Sequence, residues 1–301
     1  MPLPVQAAIE SWTLPIPLTL AMLLAAFLYL RGWLHLRSVS VNVVSAWRAG
    51  SFLLGLFSIW MAIGSPLAAF DEELLTVHMV QHLLLMTVAP ALILLGAPVM
   101  PFLHGLPQRF VQGVVGPLFR WAPVQQVGRV LSQPVFCWFA PAVALVGWHI
   151  PGAFTLALQS EGWHVAEHTC FLAAGFLFWW PVVQPWPSVS KGPRWWILLY
   201  LFLATLPCDI LSGFLVFAER VVYPVYLSRP QPFGISVADD QELAGALMWT
   251  CITIGYLVPA GILTLRLLGV GNSRADDFVR PELRPVAAHP SGEMLAGREE
   301  R

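Results

Sequence analysis

The chain is 301 residues long, 57% of them hydrophobic and only 11% charged, with a formal net charge of -1. A soluble domain carries about 25% charged residues, so sixteen Lys and Arg with seventeen Asp and Glu are too few to solvate a surface of this size. That excludes a soluble enzyme and, with no basic patch, a nucleic-acid binder; four cysteines in apolar runs, with no CxxC pair, exclude a disulfide framework.

Instead, apolar runs of about 20 residues recur, each able to cross a hydrocarbon core of about 30 Å. Residues 1–15 hold no Lys or Arg, whereas a cleaved signal needs a basic start. The first run, near 14–34, is therefore expected to be a retained helix, and the second lies near 49–69. The third, 74–100, contains Pro90 and Pro98, which predicts a kink or break in its lower half. Residues 101–133 are too polar and too rich in Gly and Pro to span. They are expected along the interface, with Leu106, Phe110, Val114 and Phe119 towards lipid. Four more spans fall near 134–151, 162–184, 195–218 and 240–267, and no internal repeat is evident. The expected fold is all-α, a polytopic seven-helix transmembrane domain over residues 1–270 with a charged, disordered tail at 271–301.

Orientation follows from the basic residues. Fourteen of the sixteen fall in the first, third and fifth connections or after the last span; only Arg220 and Arg229 lie opposite. The N-terminus is expected outside and the C-terminus in the cytoplasm. Acidic residues gather on the outer side, with Asp71, Glu72 and Glu73 in the second connection, Glu161 in the fourth, and Glu219, Asp239 and Asp240 in the sixth. Such a mouth favours cations, although the orientation rule alone also leaves acids behind there.

Five of the eight histidines converge on this outer level. His78 and His82 stand i, i+4 on span three, so both rings leave one helix face. His164 and His168 repeat that spacing on span five, and His149 ends span four within Trp148-His149-Ile150-Pro151. Each single histidine is explained by a hydrogen bond to a neighbouring helix. Two such pairs and a fifth ring at one depth instead point to bound metal or haem, because ionisable groups inside a membrane are expensive and paired imidazoles present two ligands to one ion. Met79 and Met86 on span three and Gln241 and Met248 on span seven add candidate ligands, although Met is also a routine gap-filler. Imidazole with thioether suits copper, as Cu(I) or Cu(II), while zinc stays open with histidine and carboxylate ligands. Asp209, Asp240 and Glu167 are further candidates, Glu167 as a partner that orients a ring rather than a direct ligand. The many tryptophans near span ends read as interface anchors. His35, His104 and His289 fall on the cytoplasmic side or in the tail and are set aside.

The run His78-Met-Val-Gln-His82-Leu-Leu-Leu-Met86-Thr-Val-Ala-Pro90, followed by Leu95-Gly-Ala-Pro98, resembles the membrane-embedded CtaG family, which assists assembly of caa(3)-type cytochrome c oxidases in bacteria. Trp148-His149-Ile-Pro151, His164-Val-Ala-Glu-His168 and Phe178-Trp-Trp-Pro181 resemble its next block, and Asp240-Gln241 with Gly245 and Met248-Trp249 its last. The resemblance implies a non-enzymatic, multi-pass assembly factor of the bacterial plasma membrane, with cytochrome c oxidase subunits as partners and copper delivery as its task. It maps the family's histidines onto His78, His82, His149, His164 and His168. The alternatives are a copper transporter, which needs polar groups through the inner half of the bundle, and a membrane cytochrome with bis-histidine haem. A metal-dependent intramembrane hydrolase fits less well, because the His78–His82 run lacks the glutamate base of HExxH.

Overall fold

The computed structural model describes residues 12–39, 45–183 and 194–269, together with Gln6 and Glu10. The predicted disordered tail, Gln184, Lys191 and His289 lie outside the described residues.

Among the described residues every regular element is helical. Helix α1 covers Ile16–Val39 and α2 covers Ala46–Ile63, followed by a 3-10 turn at Pro66–Phe70. The histidine-bearing α3, Leu75–Leu83, runs into a π-helical segment at Leu84–Val88 and then α4, Ala89–Leu95. The predicted break in this span therefore falls at two places. Pro90 lacks a backbone N–H and its ring crowds the carbonyl four residues earlier, which favours the wider π turn just before it. Gly96 and Ala97, the latter at φ 46°, then end α4, so the helix does not continue to residue 100 and α5, Val99–Gly105, starts anew.

Short helical turns between Gln108 and Arg120 lead to α6, Ala122–Leu131, and α7, Pro134–Trp148. Phe110, Val114 and Phe119 are exposed along this stretch, while Leu106 is half-buried. The small α8, Pro151–Gln159, precedes α9, Glu161–Val183; α10 covers Trp196–Phe217 and α11 covers Val237–Leu267.

Five helical stretches among the described residues, Ile16–Ser38, Ala46–Phe70, Leu75–Leu95, Trp196–Phe217 and Val237–Leu267, are long and apolar enough to cross a membrane. Helices α6 and α7 meet that test only as a pair bent by 71°. Helix α9 has 23 residues and its histidines and acids all lie in its first two turns, above an apolar run. The outward faces are apolar, with Leu20, Phe27, Ile210 and Phe217 all exposed, the reverse of a bundle built for water.

Glycines set the closest approaches. Gly32 of α1 lies on Gly105 of α5, and a Cβ on either would run into the other helix's backbone. A Cβ on Gly175 of α9 would collide with the carbonyl oxygen of Met86 in the π segment. Helix α9 thus sits directly on the span that carries His78 and His82, and α11 packs along α3.

Candidate metal centre

The centre begins with helix phase. His78 and His82 leave α3 on one face with ring centroids 4.3 Å apart, and both are buried. Opposite them α9 presents Glu167, which is fully buried. Its Oε2 lies 3.6 Å from Nε2 of His78 and its Oε1 3.5 Å from Nε2 of His82. One ligand atom from each of the three residues falls within 4.8 Å of the others. His168 lies alongside, its ring 6.0 Å from that of His82 and 4.2 Å from that of His164. His164 stacks on His78 at 5.6 Å, and its Nε2 is 3.7 Å from Oδ2 of Asp71.

These groups face one another without bonding. Eight of the fourteen buried side-chain nitrogen and oxygen atoms with no hydrogen-bond partner, among the described residues, belong to His78, His82, His164, Glu167 and His168. An unpartnered buried polar atom costs about 1–3 kcal/mol, so such a concentration has to be explained by what the group binds. The set fits a metal ion. Bonds of about 2.0–2.2 Å to imidazole and carboxylate hold ligand atoms up to about 4.3 Å apart, and the 3.5 and 3.6 Å separations lie within that reach. Aromatic rings close the sides, with Phe154 at 4.9 Å from His78 and Phe171 at 4.1 Å from His82.

The connections at this end hold the centre in place. Gln81 donates through Nε2 to Ala62 O and to Oδ2 of Asp71, fixing the carboxylate that faces His164. The connection after α10 folds over the top, where Tyr223 donates to His149 O and Tyr226 to Asp71 O. Burial holds both phenols above their ordinary pKa, so both remain protonated donors. A polar recess of about 430 Å3, lined by Glu72, Gln159, Glu161, His164 and Arg229, opens beside His164. Arg229 pairs with Glu72 at 3.1 Å across it. His164, with 19% of its side chain exposed, joins this recess to the buried rings.

The profile of the caa3 cytochrome c oxidase assembly factors (Caa3_CtaG) matches residues 27–269. The chain belongs to that family. It is 23% identical over 239 residues to an uncharacterized protein of Mycobacterium leprae (strain TN), a stretch that covers 76% of this chain and 35% of the relative. Uncharacterized proteins of Mycobacterium bovis and Mycobacterium tuberculosis are each 26% identical over 223 residues, covering 68% of this chain and 32% of theirs. The chain thus spans about a third of the length of the curated relatives it matches. No solved structure matches it significantly.

The other sequence-derived candidates fall at different stations. Glu167, expected beside the ligands, stands between His78 and His82, because α9 is turned to aim it at α3. His149 joins the cluster's edge, 5.8 Å from His82 by ring centroid, with Nε2 3.3 Å from the sulfur of Met79. Asp240 accepts from the backbone N–H groups of Leu75 and Thr76, at 2.6 and 3.2 Å, and so caps α3 from another helix. Gln241 accepts from Val222 N and donates to Leu215 O and Arg220 O, pinning the connection after α10. Met86 lines an apolar crevice with Trp138 and Cys208. Met248 is buried, and its carbonyl oxygen lies 4.0 Å from the Cys208 thiol. Asp209 is half-buried, with Oδ1 lacking a partner among the described residues, and it makes no ion pair with the histidines. In sequence Asp71 is only one member of an acidic loop; its proximity to His164 depends on how the loop folds back.

Proposed function

We propose that this chain is a non-enzymatic copper chaperone of oxidase assembly: it holds copper as cargo between His78, His82 and Glu167 and passes it to a cytochrome c oxidase subunit. In this reading the bundle crosses the bacterial plasma membrane seven times, α7 and α9 included, with the N-terminus outside and the C-terminus in the cytoplasm. The acidic recess gathers the ion, His164 and His168 lead it inward, and transfer proceeds by ligand exchange. Three protein ligands leave a coordination position open to the acceptor's ligand, as exchange requires. The observation that carries the reading is the buried set of imidazole and carboxylate atoms that face each other without hydrogen bonds.

Transport across the membrane is less well supported. Beneath the cluster the span rests on Gly175 and Gly55 at backbone contact, and Ser51 and Ser58 spend their hydroxyls on Leu92 O and Leu54 O. Among the described residues there, Thr87 leaves one buried hydroxyl unpaired, and a single neutral group does not make the continuous polar path that transport would need. A bis-histidine haem needs a porphyrin-wide slot between rings, and Glu167, Phe154 and Phe171 fill that space.

Elemental analysis of the detergent-purified chain, beside a His78→Ala/His82→Ala double variant, tests the reading. About one copper or more per chain in the wild type, lost in a variant that still elutes as a folded protein, is the expected result. Equal copper in both would sink the assignment of these histidines, and copper in neither, even after loading with Cu(I), would remove the chaperone role.

A further inference from the structure

Beside the carboxylate-bearing group lies a second pair of donors with different chemistry. Met79 follows His78 on α3, so its side chain leaves the helix about 100° round from that ring and points to the end of α7. There its sulfur meets Nε2 of His149 at 3.3 Å, with both residues buried.

The protonation of His149 is fixed by its other nitrogen. Nδ1 lies 2.7 Å from the carbonyl oxygen of Leu145, and a carbonyl only accepts, so Nδ1 carries the hydrogen. In the neutral ring Nε2 then has a lone pair and no proton. A thioether has no proton to offer either. Two lone pairs therefore face each other in a buried site, an arrangement that hydrogen bonding between the two neutral groups cannot relieve. Protonating the ring would bury a cation, while the nearby carboxylate of Glu167 already directs its two oxygens at His78 and His82.

A soft cation between the two resolves this. Bonds of about 2.0 Å to nitrogen and about 2.3 Å to sulfur, spanning the observed 3.3 Å, subtend about 100° at the ion, close to a tetrahedral angle. Thioether with imidazole selects Cu(I) over harder ions, whereas two imidazoles and a carboxylate also accept zinc. His82 is common to both neighbourhoods, its ring 4.3 Å from that of His78 and 5.8 Å from that of His149.

We propose that Met79 and His149 form a second, Cu(I)-selective ligand pair, adjoining the His78–His82–Glu167 group through His82, so that the centre holds two ions or passes one between two ligand sets. The inference rests on the copper reading above. Transfer between the sets is an exchange of ligands on an ion that stays Cu(I), with no change of redox state.

The test uses the full chain in detergent, loaded anaerobically with Cu(I) or separately with Zn(II). Copper X-ray absorption and metal content are read for the wild type, Met79→Leu and Glu167→Gln. Leucine is close to isosteric with methionine and keeps the packing. The wild type is expected to show a sulfur shell at about 2.3 Å that vanishes in Met79→Leu, with loss of about one Cu(I) per chain and unchanged zinc. Glu167→Gln should lose zinc and keep the sulfur shell. Copper bound without a sulfur shell, or a shell that survives Met79→Leu, overturns the second pair and leaves the chaperone reading standing. A wild type that takes up no Cu(I) overturns both.

Discussion

Two adjacent layers of the bundle are built by opposite rules. In the layer that carries the histidines, His78, His82, His164, Glu167 and His168 leave polar atoms buried and unpaired. In the layer directly beneath, the unpaired buried atoms among the described residues are single neutral groups, on Thr87, Trp138 and Trp179, while Tyr29 donates to Gly96 O, Ser51 to Leu92 O and Tyr200 to Phe178 O. Backbones there touch through Gly55 and Gly175. The lower layer is optimised for contact and sets the distance between helices. The upper layer sacrifices that stability, and its groups remain free for a ligand from outside the fold. A membrane bundle has no hydrophobic drive between its helices, so close packing must hold it together. That work falls to the lower layer.

Gly175→Val attacks this division from below and has the largest expected effect. The new side chain has to displace the Met86 carbonyl, and a backbone neighbour cannot rotate away. A loss of about 3 kcal/mol is expected, at the upper end for overpacked sites, read as a lowered unfolding midpoint in detergent. A midpoint equal to that of the wild type would mean that α9 does not rest on the π segment.

Glu167→Gln attacks it from above, and the sign reverses. The carboxylate is fully buried, and neither oxygen has a hydrogen-bond donor. A neutral amide brings donors and an acceptor that suit neutral imidazoles, and it removes a buried charge. The metal-free protein should gain about 1–2 kcal/mol while zinc or Cu(II) affinity falls at least about tenfold. A variant that is less stable and binds as before would show the carboxylate to be structural.

The sequence made one layer more legible than the other. Apolar runs mark long helices because a bilayer imposes their length, and the i, i+4 spacing of His78/His82 and His164/His168 is a local property of any helix. The convergence of these residues at one level could therefore be read before their distances were known. What could not be read is rotation and contact through space. Glu167 faces α3 only because of the angle at which α9 crosses it. Met79 meets His149 across 70 residues of chain, and Asp240 caps α3 across 165. Pro90 and Pro98 announce a break in the lower half of the third span, but not that it is shared between a π turn just above Pro90 and a stop at Gly96 and Ala97 below it. The bend between α6 and α7 falls at the change from a non-spanning to a spanning stretch near residue 134, but its angle of 71° has no mark in hydropathy.

Asp240→Ala offers the finest cut between the layers, because Asp240 belongs to neither and serves both. Its carboxylate binds the first two N–H groups of α3, where the helix dipole also favours a negative charge. Loss of a side-chain cap costs about 1 kcal/mol, and the same figure is expected here. The more telling consequence is positional. His78 lies one turn into α3, and its backbone N–H bonds Leu74 O at 3.2 Å in the turn that Asp240 caps. Fraying of that turn loosens His78 before His82, which sits a further turn down and is held by the intact helix. Metal affinity should therefore fall by a few-fold, less than the roughly 10–100-fold that loss of a group bonded directly to a ligand costs. Were affinity unchanged while stability dropped, the first turn of α3 would not position the site, and the ion would be held by His82 and the residues of α9.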